Sequence, residues 1–158
     1  MEEDDVVGIP PEECASDLGK PDVTSMRMIR DLFLREEPLV EVADFDSVLR
    51  PQELRIWFKD GIGNADWCRL DCTWYSSGAY RFHSVDEDDV NWRFDMHPNP
   101  HSPDQHFHEP PKASSETAVQ SCIQVTEPRL VARAILKIWR RGYETGDLAT
   151  LNAATDPP

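Results

Sequence analysis

Between Leu39 and Asp95 apolar residues fall on every second position, in one short run after another. Leu54, Ile56 and Phe58 alternate with Arg55 and Trp57; Cys68, Leu70, Cys72 and Trp74 alternate with Arg69, Asp71 and Thr73. Tyr80 and Phe82 alternate with Arg81 and His83, and Val90, Trp92 and Phe94 with Asn91, Arg93 and Asp95. Successive side chains of a strand point to opposite faces, so each run predicts a strand with one buried and one open face. Asp60-Gly61, Ser76-Ser77-Gly78 and the stretch Asp86 to Asp89 separate the runs and carry turn chemistry. Strands joined by such connectors predict an antiparallel meander. Leu39 to Val42 adds a short strand ahead of it, and Cys122 to Val125 an edge strand behind it.

Two segments follow the helical period instead. From Asp22, with Asp22 or Thr24 as cap, Met28, Ile29, Leu32 and Phe33 form one face, and Pro38 stops the helix. Near the end of the chain Thr126 offers a cap and Pro128 suits the first turn. Leu130, Val131, Ala134, Ile135, Ile138, Trp139 and Tyr143 then form an apolar stripe that closes near Gly146. The fold class is therefore α+β: an antiparallel meander sheet of about four to six strands, with an N-terminal and a C-terminal helix on its apolar face. Residues 1–21, rich in Glu, Asp and Pro, are expected to form a flexible acidic leader, 22–146 one domain, and 147–158 a C-terminal tail.

Composition narrows the setting. The 158 residues suit one domain. No apolar run reaches the length of a membrane span, and the acidic amino terminus carries no secretory signal. A cytoplasmic protein without a membrane partner is the expectation. A net charge of −14, with twelve Arg against four Lys, is the balance expected of an intracellular protein from a salt-loving organism. The cysteines, Cys14, Cys68, Cys72 and Cys122, lack zinc-ribbon spacing and are expected to be free thiols. Glycine-rich phosphate loops, serine-nucleophile motifs and zincin motifs are all missing, so no cofactor and no metal is assigned.

The alternation also distributes chemistry. If Tyr80, Phe82, Trp92 and Phe94 face the core, then Arg55, Arg69, Arg81 and Arg93 share the other face with His83, Asp71, Asp95 and Trp57. Guanidinium groups grip phosphate through paired hydrogen bonds, whereas the same face with Asp71 and Asp95 as counter-charges is simply solvated. Arg129, Arg133, Lys137, Arg140 and Arg141 make the last helix basic. That pattern suits either helix-dipole compensation or contact with RNA or an acidic partner. The segment His97 to His108 holds four of the five histidines among prolines: His97, His101, His106 and His108. It cannot be helical and reads as a stiff loop bordering the open face. Three readings stay open for it. Metal could bind at His106-x-His108 and His97-x-x-x-His101. Two imidazoles with arginine could transfer protons at a ribose 2′-hydroxyl. The segment could equally be structural or hold a partner protein.

Taken together, Tyr80-Arg81-Phe82-His83, Trp92-Arg93-Phe94-Asp95 and the run from His97 to Pro111 resemble the TumE-like family, toxin components of type II toxin–antitoxin systems. The resemblance spans about residues 39–145, with its specific part in 80–111. Here the histidines are spaced, with Gln105 before His106, and the acidic leader and Arg-rich last helix look like a haloarchaeal branch. The resemblance implies a cytoplasmic toxin whose partner is a small antitoxin. The leading expectation is a toxin-like protein acting on RNA as a metal-independent endoribonuclease. Its catalytic candidates are His83, His106, His108 and Asp95, and its substrate contacts Arg55, Arg69, Arg81, Arg93, His97 and His101. The alternatives are a non-catalytic protein-binding module, or a small metal-binding protein using His97 to His108.

Overall fold

The structure, a computed structural model, describes residues 18–97 and 104–153. Helix α1 (Val23–Glu36) leads into strands β1 (Val40–Phe45), β2 (Leu54–Phe58), β3 (Cys68–Trp74), β4 (Tyr80–Asp86), β5 (Asn91–His97), β6 (Asp104–His108) and β7 (Val119–Gln120). Helix α2 (Pro128–Thr145) follows, and a 3-10 turn at Leu148–Thr150 is the last element of the described chain. Every strand pairs antiparallel with the next, in the order β1 to β7. The expected α+β meander with one helix at each end is present. It has seven strands among the described residues rather than four to six.

Local chemistry explains the elements. Asp22 caps α1 by accepting from Ser25 N at 3.0 Å. Gly146 ends α2 in the left-handed conformation (φ 69°), which glycine adopts without a Cβ penalty. The four period-two runs bury Leu54, Ile56, Phe58, Leu70, Cys72, Trp74, Tyr80, Phe82, Trp92 and Phe94 on one face. Both helices cover that face. Trp139 of α2 stacks on Phe58 with ring centroids 4.1 Å apart and donates Nε1–H to Cys68 Sγ at 3.2 Å. The other sheet face carries the polar members of every run, and among the described residues neither α1 nor α2 packs on it.

Four expectations need correction. The histidine segment is not wholly a loop, because Asp104 to His108 forms β6 beside β5. Its alternation is genuine: Gln105 and Phe107 point inward, His106 and His108 outward. Gln105 is tolerated inside because its amide donates to Tyr80 Oη (3.2 Å) and to the Val125 carbonyl (2.8 Å). The edge strand is Val119–Gln120, not Cys122 to Val125. Side chains occupy the latter's backbone instead: Asn152 Oδ1 takes Cys122 N–H and Ser121 Oγ takes Ile123 N–H. Glu127 rather than Thr126 caps α2, accepting from Leu130 N at 3.1 Å. The first strand starts at Val40 and runs on to Phe45, instead of ending at Val42.

Candidate functional site

Register turns the open face into a grid. One row across the sheet reads Arg55, Asp71, His83, Arg93, His108, each residue opposite the next. The neighbouring row reads Thr73, Arg81, Asp95, His106, Gln120. On β4, β5 and β6 these rows form a block, with His83, Arg93 and His108 beside Arg81, Asp95 and His106. Strands lie about 4.8 Å apart and same-face neighbours about 6.7 Å along a strand, so the block is roughly 10 Å by 7 Å. Six of the sequence-predicted site residues share it.

Its centre is an ion pair drawn into the sheet. Asp95 is 2% exposed, and its Oδ2 accepts from Arg93 Nε at 3.0 Å and contacts His108 Nε2 at 3.1 Å. The His108 ring is also buried, and its Nδ1 lies 3.2 Å from the Ser114 carbonyl. Arg93 Nη2 is 3.2 Å from both ring nitrogens, so it sits over the ring rather than along either in-plane lone pair. Burial holds His108 below its ordinary value; Arg93 acts the same way, while Asp95 and the Ser114 carbonyl oppose the shift. Arg93 too is held below its usual value, first by burial and then by Arg81. Asp95 Oδ1 is buried without a hydrogen-bond partner among the described residues. A half-satisfied carboxylate of this kind costs stability, about 1–3 kcal/mol for a neutral acceptor and more for a charged one.

The remaining histidines of the block are more accessible. His83 is half-buried, with Nε2 2.7 Å from Asn91 Oδ1. The Asn91 amide nitrogen donates to the Asp89 carbonyl at 3.0 Å, which fixes Oδ1 toward the histidine. His83 Nε2 therefore carries the proton and Nδ1 is the acceptor. His106 is half-buried, 6.5 Å from His108 between ring centroids, with no hydrogen bond among the described residues.

Other predicted residues lie at the margins. Arg69 pairs with Asp71 at 2.8 Å and lies 5.2 Å over the Trp57 ring. Arg55 pairs with Glu53 at 2.9 Å, and exposed His97 is opposite Asp104 at the end of β5. His101 lies outside the described residues. Arg81 is exposed and makes no ion pair among the described residues. Among those residues no three His, Cys, Asp or Glu side chains converge as metal ligands. Thiol chemistry is remote too: burial pushes Cys68 up to about 12 and Cys72 well above its usual value. Sequence reading missed Asn91 as the His83 anchor and the Ser114 carbonyl. Asn91 was legible through its place on the open face; a backbone acceptor six residues from His108 leaves no trace in composition.

A helix-backed meander whose other face presents arginines and histidines, with a buried carboxylate among them, defines a one-sheet α+β protein with one polar face. The family model for toxin TumE matches residues 29–144, so the chain belongs to the TumE toxin family. No curated protein and no solved structure gives a match. No helix among the described residues is long and apolar enough to cross a membrane.

Proposed function

We propose that this toxin-family protein acts on RNA at the open face of β4 to β6, as a metal-independent endoribonuclease held in check by a small antitoxin. The observation that carries the reading is Arg93, held by buried Asp95 and His108, with half-buried His83 opposite it and half-buried His106 opposite Asp95. Arg81 and Arg93 receive a phosphodiester. His83 Nδ1 takes the proton of a ribose 2′-hydroxyl, whose oxygen attacks phosphorus. A 2′,3′-cyclic phosphate forms as the bond to the 5′-oxygen breaks, and protonated His106 supplies that oxygen's proton. His108 is buried between Asp95 and the Ser114 carbonyl, so it serves as a positioning residue for Arg93 together with Asp95. The half-satisfied Asp95 is a cost retained where it fixes a guanidinium.

A second reading has its own support. The recess touching the block, lined by Leu18, Thr73, Tyr75, Arg81 and His97 among others, holds about 100 Å³. Small-molecule sites typically span about 300–1,000 Å³. A recess that small also suits a non-catalytic module that docks a partner protein on the open face. Purified protein incubated with total RNA in high salt, with and without chelator, separates the two. The endonuclease reading expects chelator-insensitive cleavage leaving cyclic phosphate ends, reduced about 100-fold or more in folded His83→Ala and His106→Ala. No cleavage under either condition, or wild-type cleavage by both variants, overturns it. The binding module instead expects His108→Ala to weaken a partner complex without any turnover to lose.

A further inference from the structure

We propose that Trp57 and Trp67, steadied by Arg69, form a platform on which one unpaired base of a single-stranded RNA stacks. The proposal rests on the reading of the β4–β6 block as the place where the phosphates bind. The alternation along β2 puts Trp57 on the polar face, and strand register agrees. A third row across that face reads Val42, Trp57, Arg69, Val85, Asn91, each residue opposite the next. It runs beside the row of Arg55, Asp71, His83 and Arg93 and ends at Asn91, the residue that anchors His83. Trp67 adds a second indole, 5.5 Å from Trp57 between ring centroids. Both are half-buried, and neither belongs to the hydrophobic core. Indoles are among the largest apolar side chains, so two of them together on a polar face suit a flat partner.

Ring geometry and charge favour a base over a phosphate at this spot. In the core, Phe58–Trp139 and Trp74–Tyr80 are closed stacks, 4.1 Å and 4.8 Å apart with planes 23° and 16° from parallel. The planes of Trp57 and Trp67 diverge by 44°, so these two rings do not close on one another. Arg69 Cζ lies 5.2 Å from the Trp57 ring centroid, and its Nε donates to Asp71 at 2.8 Å. The charge of Arg69 is thus already met within the sheet, as that of Arg55 is by Glu53. Arg81, exposed and without an ion pair among the described residues, is left to receive phosphate. Proteins that bind single strands combine such cations along the backbone with aromatic rings for the bases. Trp57 stands two strands across and one step along from His83, roughly 12 Å, which a short single strand bridges. The other cationic surface is a groove of about 580 Å³ on α1 and α2 that contains Arg27, Arg35, Arg129 and Arg133. No aromatic side chain is among its lining residues.

The test titrates the full chain with 2′-O-methyl oligouridylate, which lacks the hydroxyl that cleavage needs, and with an oligomer of equal length that lacks bases. Trp74, Trp92 and Trp139 are buried, so quenching of indole fluorescence by a stacked base reports Trp57 and Trp67. Quenching by the uridylate and none by the base-free oligomer is expected. Folded Trp57→Ala should bind the uridylate roughly 5- to 150-fold more weakly. Trp57→Phe should recover part of that loss, and Arg129→Glu should bind as wild type does. Equal affinity for the two oligomers, no binding of either, or wild-type binding by Trp57→Ala overturns the proposal. Should Trp57→Ala fail to fold, the comparison of the two oligomers on the wild-type chain decides. Because the probe cannot be cleaved, failure here is distinct from failure of the nuclease reading. Base-dependent quenching by a protein that cleaves no RNA keeps the platform and sinks the endonuclease. Base-insensitive binding, with RNA cleaved at the wild-type rate by Trp57→Ala, keeps the endonuclease and sinks the platform.

Discussion

Two acceptors bracket the His108 ring, Asp95 Oδ2 at 3.1 Å and the Ser114 carbonyl at 3.2 Å, yet burial and Arg93 still hold its pKa down. The sign of the resulting linkage follows directly. As pH falls below about 6.5 the unfolded chain takes a proton that folded His108 refuses, so stability present above that value is lost as pH falls through the folded value. Thermal melts from pH 8 downward should show this decline in wild type and a shallower one in His108→Gln. Ring NMR should place the His108 midpoint below that of a free imidazole. Asp95→Asn should lower it further, because Asp95 is the charge that opposes the shift. A midpoint raised by Asp95→Asn would contradict this account of the block.

At the scale of elements, arginines of α2 turn inward to α1 rather than outward to a ligand. Arg140 meets Glu37, which is 3% exposed, through both Nε and Nη2, and Arg133 meets half-exposed Glu36. Removing the partner of a buried carboxylate is expensive, whereas a solvated pair contributes little. Arg140→Ala should cost about 3 kcal/mol and Arg133→Ala under about 1 kcal/mol, measured by urea unfolding; equal costs would mean that burial of Glu37 does not matter. The α1 and α2 stripes and strands β2 to β5 were legible because their periods are carried by large apolar residues such as Phe33, Phe58, Trp74 and Trp139. Strand β6 was not, since Gln105 occupies a core position and only its bonds to Tyr80 and Val125 justify it. The grid of the open face was legible in outline: period two put Arg81, His83, Arg93 and Asp95 on one side. Which imidazole would be locked and which left accessible depended on strand register and on a backbone carbonyl, neither of which the sequence displays.

The whole molecule carries a net charge of −14 with its cations concentrated on two surfaces, the open face and the helices. Self-repulsion of that size should make the fold salt-dependent, with the melting temperature rising steadily as KCl increases and screening strengthens. A flat response would remove the halophilic reading. The two cationic surfaces also allow the central claim, that the open sheet face is where this toxin acts, to be tested by exchange of single charges at exposed positions. Growth after induced expression is compared for wild type, Arg81→Glu on the open face and Arg129→Glu in the helical groove, each shown by circular dichroism to be folded. The account predicts arrest by wild type and Arg129→Glu and near-normal growth with Arg81→Glu. Arrest by Arg81→Glu alongside rescue by Arg129→Glu would contradict it.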